Sequence, residues 1–505
     1  MLGCSTFRIN PCCERDTVCK ESDVDYDLLI RGGTVVTAQD MAKADVAITG
    51  GRVVAVGAIN GGARESIDAA GQLVMPGGVD THVHLDQPAP GGEMCDSFRT
   101  GTASAAAGGT TTVVSFSWQE HGQSLATVTA DYHQRARQSI VDYSFHLTIT
   151  DATPTVLEQE LPGLVEEGSR SIKIFMTYDG VRLDDSSVLR VLAAARRNKA
   201  LVCVHAEHHE LISWMSEQLV AAGFTAPKYH AWGKPIVAER EAVSRIIALA
   251  EALDVPIQIF HVSGAEPAEE IARAQARGLK VWAETCPQYL TLTASDLDRP
   301  GFEGAKFVFG PPARTTADQE ALWDYIRRGV IEVVSSDHSP SKYDDPKGKK
   351  LAGENAPFNM IPNGIPGLAA RLPLLFTEGV SKGRIDPPTF VRLVSTNPAK
   401  MFGLHPRKGS IAPGSDADIV VWDPNKKVTL TNALMHHGGD YTPYEGYRTI
   451  GYPSRVLVRG VTVFDGTAVV GQPGHGQYLP RQPYSMITPR GRFPTPFNPV
   501  DRKLV

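Results

Sequence analysis

The 505-residue sequence predicts an α/β fold: a closed (β/α)8 TIM-like barrel joined to a smaller β-sandwich domain built from both chain ends. Three observations carry that prediction. Between residues 75 and 407, short apolar or β-branched runs alternate with helix-like segments, the pattern of parallel βα units. Outside that range, short strand-like runs follow one another with glycine pairs between them and no helices. Six side chains able to meet a metal ion, His82, His84, Lys173, His205, His261 and Asp337, stand at the ends of the central runs, where such barrels gather their chemistry.

Taken in order, residues 1–24 contain Cys4, Cys12, Cys13 and Cys19 without a CxxC spacing, and read as a disordered, functionally silent extension. Residues 25–74 give DLLIRGGTVV, DVAITGGRVVAVG and QLVMPG, and residues 408–472 give ADIVVWDP, SRVLVRGVTVFDG and AVVG. Together these form one discontinuous sandwich. Residues 75–407 supply eight candidate strands, GVDTHVH, TTTVVSFS, DYSFHLTIT, SIKIFM, LVCVHAE, IQIFHVS, KVWAETC and EVVSSDH. Between them lie segments such as DSSVLRVLAAARRN and EREAVSRIIALAEAL, whose apolar residues recur near helical spacing. Residues 473–505 are proline-rich and without periodicity, so the tail is expected to stay out of the core, lying along a neighbouring subunit or loose.

Composition excludes several partners. With 50 lysines and arginines against 56 aspartates and glutamates, a net charge of -6 offers no surface for nucleic acid. No apolar stretch approaches the roughly 18 residues needed to span a bilayer, and the first residues lack a signal-peptide core, so neither a membrane nor export is expected and the location read from the chain is cytoplasmic.

His82 and His84 are one residue apart, and strand alternation points both imidazoles to the same face. His205 and His261 end later strands, so four histidines converge on one barrel mouth. Lys173 is the sharpest member of the set, because an ammonium beside cations in a barrel would be repelled and poorly solvated. Two readings remain open from spacing alone. Either a neutral amine adds carbon dioxide to become a carbamate that bridges two ions, or the lysine pairs with a buried carboxylate such as Asp337.

The stretches MPGGVDTHVHLD, GTTTVVSF, SIKIFMTYDG, VHAE, HVSG, ETCPQYL, SSDHSP and IPNGIPG together resemble the dihydropyrimidinase and hydantoinase family of the amidohydrolase superfamily, over roughly residues 25–475. The resemblance implies a cyclic amidohydrolase that opens a dihydropyrimidine or 5-substituted hydantoin to the N-carbamoyl amino acid. It implies one divalent ion held by His82, His84, Lys173 and Asp337, and a second held by Lys173, His205 and His261. Lys173 is then N6-carboxylated by CO2. Zinc suits the imidazole-rich set, with manganese or cobalt able to take the same geometry. A hydroxide would bridge the ions, Asp337 would act as general base and then acid, and Tyr178 would donate to the oxyanion. Asn363 and Gly310, the latter where a serine is usual, would hold the cyclic amide, and the chain would assemble as a homotetramer or dimer.

Two mouth loops depart from the family pattern. In LDQPAPGGE, Ala89 replaces a bulkier apolar residue and leaves room for a larger substituent; in YDGVRLDD, Arg182 stands where an apolar side chain is usual and either points to solvent, the favoured reading, or admits an acidic substituent. Cyclic-imide hydrolase and allantoinase are alternatives with the same centre. Dihydroorotase ranks low because HVHLDQ lacks an arginine just beyond the histidine pair. A non-catalytic assembly protein of the same fold would have no use for all six side chains.

Overall fold

The computed structural model describes residues 25–89 and 92–505; the cysteine-rich extension expected at 1–24 lies outside the described residues. Eight parallel strands run in sequence order around one sheet: β1 (Gly78–Val83), β2 (Thr110–Trp118), β3 (Asp142–Thr148), β4 (Ser171–Phe175), β5 (Leu201–His205), β6 (Ile257–Ile259), β7 (Val281–Thr285) and β8 (Ile331–Val334). Their near-continuous apolar runs follow from burial on both faces, helices outside and packed side chains within.

The seam between β8 and β1 closes just beyond β8. His84 N–H donates to the His338 carbonyl at 2.8 Å, and Ser336 N–H donates to Asp80 Oδ1 at 3.1 Å. Arg371, fully buried, spans the join: its guanidinium lies 3.2 Å from Asp80 Oδ2 and donates to the carbonyls of Val79 (3.3 Å) and Val334 (3.0 Å).

Helices form where the sequence pattern places them. Asp185–Asn198 starts at Asp184, whose carboxylate accepts from Ser187 N–H at 2.7 Å, and ends at Lys199, which takes the left-handed conformation at φ 52. Val188, Val191, Leu192 and Ala195 share its buried face. Each buried valine or leucine stabilises the fold by about 1.5–3 kcal/mol relative to exposure.

The chain ends meet in a six-stranded sheet ordered Val461–Phe464, Arg448–Val458, Ile419–Thr429, Leu73–Pro76, Thr34–Val36 and Met41–Lys43. Its central pairing sets Val420 opposite Met75 and Val421 opposite Val74. A four-stranded sheet, Arg52–Gly57, Asp45–Thr49, Tyr26–Arg31 and Ala63–Asp68, supplies the other layer. Leu28, Ile30, Val46, Ile48, Ile419 and Leu457 fill a core separate from that of the barrel.

The tail corrects an expectation. Rather than lying loose or on a neighbour, its first half packs against the amino-terminal end of its own barrel, burying Leu479, Arg481 and Ile487. Tyr143 N–H donates to the Gln477 carbonyl at 2.9 Å and Leu479 N–H to the Tyr143 carbonyl at 2.8 Å. Arg481 donates to Ser171 Oγ (2.8 Å) and to the carbonyls of Gly168 (3.2 Å) and Phe145. Tyr484, Met486 and Ile487 cover Leu201, Cys203 and Phe402. An irregular segment can enter a core this way because barrel-strand ends satisfy its backbone, which no periodicity records. Among the described residues, no helix is long and apolar enough to cross a membrane.

Candidate active site

At the carboxyl end of β1, His82 and His84 point into the mouth with ring centroids 5.4 Å apart. Glu284 Oε1, from β7, lies 2.7 Å from His82 Nδ1, and Gln87 Oε1 meets His84 Nδ1. Both rings therefore turn Nε2 toward one point, where Asp337 Oδ1 lies 3.1 Å from His82 Nε2 and 3.4 Å from His84 Nε2. A carboxylate fixing the far nitrogen of an imidazole is the usual support for a metal-binding histidine.

Lys173, on β4, is fully buried and its Nζ has no hydrogen-bond partner. The amine lies 4.3, 4.7 and 5.6 Å from the ring centroids of Phe260, Phe175 and Phe116. Burial lowers its pKa to about 8, against the opposing pull of Asp337 and Glu284. The ion pair with Asp337 that spacing had left open does not form: no carboxylate among the described residues lies within salt-bridge distance of Nζ.

His205 ends β5, with Nε2 2.7 Å from Glu207 Oε2, so Nδ1 is the ring nitrogen turned away from that carboxylate. His261 follows β6; neither of its buried ring nitrogens has a hydrogen-bond partner, and its ring lies 4.3 Å from that of His205 and 5.3 Å from that of His82. Burial holds His82 and His261 well below the ordinary imidazole value and lowers His205 to about 4, so these rings keep their lone pairs at neutral pH. His261, Asp337 and Tyr178 take left-handed backbone conformations at φ 42, 48 and 74, which cost non-glycine residues of order 1–3 kcal/mol each and concentrate at functional sites.

This donor set fits a divalent metal centre. The ligand atoms of His82, His84 and Asp337 all lie within 4.8 Å of one another. Lys173 Nζ and both His261 nitrogens are buried polar atoms with no protein partner, and buried groups of that kind are rare unless something else satisfies them.

The cavity above the cluster has a volume of about 420 Å³ and is lined by all six side chains and by Tyr178, Gly310 and Asn363. Asn363 Oδ1 is buried without a partner. Trp118, Phe175, Val181 and Ile361 make an apolar wall, and Ala89 lies on the mouth loop. Arg182 does not line the cavity; its guanidinium donates to Glu210 at 2.9 Å in a partly exposed pair, the outward-facing alternative rather than a contact to an acidic substituent.

Three functional candidates escaped the sequence reading: Glu284, Glu207 and Lys234. Both carboxylates sit inside stretches that carried the family resemblance, ETCPQYL and VHAE, at or just beyond strand ends. Lys234 lies in a loop and donates to Glu207 Oε2 at 2.8 Å.

Comparison with known proteins agrees with this geometry. The profile of the amidohydrolase family matches residues 73–463. The chain is 45% identical to the D-hydantoinase of Ralstonia pickettii over 460 residues, covering 91% of this chain and 99% of that one. The dihydropyrimidinase from Brevibacillus agri superposes with a TM-score of 0.88 at 43% identity, covering 90% of this chain and 99% of that one. The L-hydantoinase from Arthrobacter aurescens superposes with a TM-score of 0.82 at 28% identity, covering 90% and 100%.

Proposed function

Because this chain belongs to the dihydropyrimidinase and hydantoinase family of amidohydrolases, we propose that it hydrolyses one ring amide of a 5-substituted hydantoin or dihydropyrimidine, giving the N-carbamoyl amino acid. The observation that carries this reading is the buried, unpartnered amine of Lys173 among four histidines and Asp337.

His82, His84, Lys173 and Asp337 would hold one divalent ion and Lys173, His205 and His261 a second, with Lys173 carboxylated by CO2. Zinc matches the imidazole-rich donors best; manganese and cobalt accept the same geometry. When bound, the ions supply water acidic enough to act near neutral pH and polarise the scissile carbonyl.

The protein's own groups do the rest. Asp337 Oδ takes the proton of the attacking water and returns it to the ring nitrogen as the C–N bond breaks. The Tyr178 hydroxyl, kept protonated by burial that raises its pKa well above the ordinary value, donates to the oxygen on which charge develops. Asn363 and the Gly310 backbone hold the remaining amide of the ring, and the apolar wall receives the substituent. A new C–O bond and a broken C–N bond leave a carboxylate and a ureido group. We further propose that the working form is a homo-oligomer, a dimer or tetramer, which the mass in solution would report.

The test is a ring-opening panel run with metal and bicarbonate: dihydrouracil, both enantiomers of substituted hydantoins, a fused cyclic imide, allantoin and dihydroorotate. Turnover of hydantoins or dihydrouracil above the others is expected. Fully metallated protein that opens no cyclic amide would overturn the proposal.

A further inference from the structure

Tyr178 is held by a lysine that the ring-opening scheme does not use. Lys234 follows the short helix His230–Gly233, and its side chain is only 7% exposed. Its ammonium donates to Glu207 Oε2 at 2.8 Å and to Tyr178 Oη at 3.2 Å. Its backbone is fixed as well: Arg314 donates to the Lys234 carbonyl at 2.5 Å and pairs with Glu239 at 3.1 Å. Glu207 in turn bonds His205 Nε2 at 2.7 Å, so one polar chain runs from His205 to the Tyr178 hydroxyl.

The direction of these bonds matters. An ammonium only donates, so at Tyr178 Oη it occupies a lone pair and leaves the phenol proton for an acceptor, Glu207 beside it or the substrate oxygen when one arrives. Donation to the oxygen also polarises the O–H bond, strengthening what it donates onward. Space for this arrangement comes from Gly310. A Cβ there would fall 2.2 Å from Tyr178 Oη and 3.0 Å from Lys234 Nζ, so the missing side chain and the lysine–tyrosine pair share one volume.

We propose that Lys234 is a positioning residue for ring opening: anchored on Glu207, it fixes the Tyr178 oxygen over Gly310 so that the phenol proton is delivered to the substrate oxygen. This rests on the assignment of Tyr178 as oxyanion donor.

The experiment compares metal-loaded wild type with Lys234→Met, Lys234→Arg, Lys234→Gln, Tyr178→Phe and the Lys234→Met/Tyr178→Phe double variant, using the best hydantoin of the panel. Lys234→Met is expected to lower kcat by roughly 10- to 100-fold with KM changed by less than about threefold. Lys234→Arg, which keeps a donor, should retain kcat within about threefold, and adding Lys234→Met to Tyr178→Phe should cost less than about threefold more. A crystal structure of Lys234→Met should show the Tyr178 hydroxyl moved from its place over Gly310.

Two results overturn the lysine proposal alone: the same loss from Lys234→Met in the Tyr178→Phe background, or an unmoved Tyr178 in the variant crystal. Full kcat in Tyr178→Phe overturns the donor assignment and the proposal with it. Should Lys234→Met fail to fold or to hold metal, Lys234→Gln carries the test, because it keeps a neutral donor for Glu207 while withdrawing the ammonium from the Tyr178 oxygen. Its loss must then be non-additive with Tyr178→Phe; additive losses, or no loss, overturn the proposal.

Discussion

Glu284 Oε1 stands 2.7 Å from His82 Nδ1, both side chains buried, and this contact aims the Nε2 of His82 at Asp337. The carboxylate comes from the end of β7 and the imidazole from β1, so the alignment depends on the closed barrel rather than on either strand. Replacing Glu284 by leucine removes the acceptor and lets the ring choose its own rotamer and tautomer. Metal affinity is expected to fall by about 10- to 100-fold, read by chelator competition and elemental analysis, while Glu284→Gln, which keeps an acceptor oxygen, should lose less. Equal affinity in the leucine variant would mean that Glu284 does not orient His82.

Lys173 makes the opposite kind of prediction, because nothing in the protein pairs with its amine. Lys173→Ala should lose turnover and bound metal together, and short carboxylic acids added to the medium should restore part of both by standing where the carbamate would be. In the metal-free, uncarboxylated protein the fold should lose little, since a desolvated amine is removed from an aromatic surround. Full turnover in the variant without added acid would remove Lys173 from the site.

How much of this was legible beforehand depends on whether a local pattern encodes it. His82 and His84 share a face because strand side chains alternate, and Lys173, His205, His261 and Asp337 cluster because each ends or interrupts an apolar run; those patterns are local. The partners are not. Glu284 lies 202 residues from the histidine it supports, and which carboxylate reaches which imidazole is decided only when the barrel closes. Lys234 and Arg182 sit in loops, where no repeat fixes side-chain direction; one turns in to Tyr178 and the other out to Glu210. Arg481 was hidden by the tail's lack of periodicity.

That buried Arg481 gives a stability prediction. It donates to Ser171 Oγ and to the carbonyls of Gly168 and Phe145, all at the floor of the barrel. Arg481→Met would leave those acceptors unpaired and out of reach of water, at an expected cost of about 3 kcal/mol. A clear drop in the thermal midpoint should accompany it, with KM for the ring substrate unchanged because the catalytic mouth is at the other end. An unaltered midpoint would show that the Arg481 hydrogen bonds contribute no net stability.

Glu332, on β8, predicts a pH-dependent stability with a definite sign. Its Oε2 is buried without a partner, and burial raises the carboxyl from 4.5 to about 7. Below pH 4.5 the group is protonated whether the chain is folded or not, and the fold bears no penalty. Between 4.5 and about 7 the unfolded chain releases the proton while the folded one keeps it, so stability falls as pH rises, and above 7 the loss stays constant. The full penalty is of order 3 kcal/mol. Glu332→Gln, neutral in both states, should therefore raise the thermal midpoint at pH 8 and leave it nearly unchanged at pH 4.5. A variant equally stabilised at both pH values would mean that packing, not ionisation of this carboxyl, sets the difference.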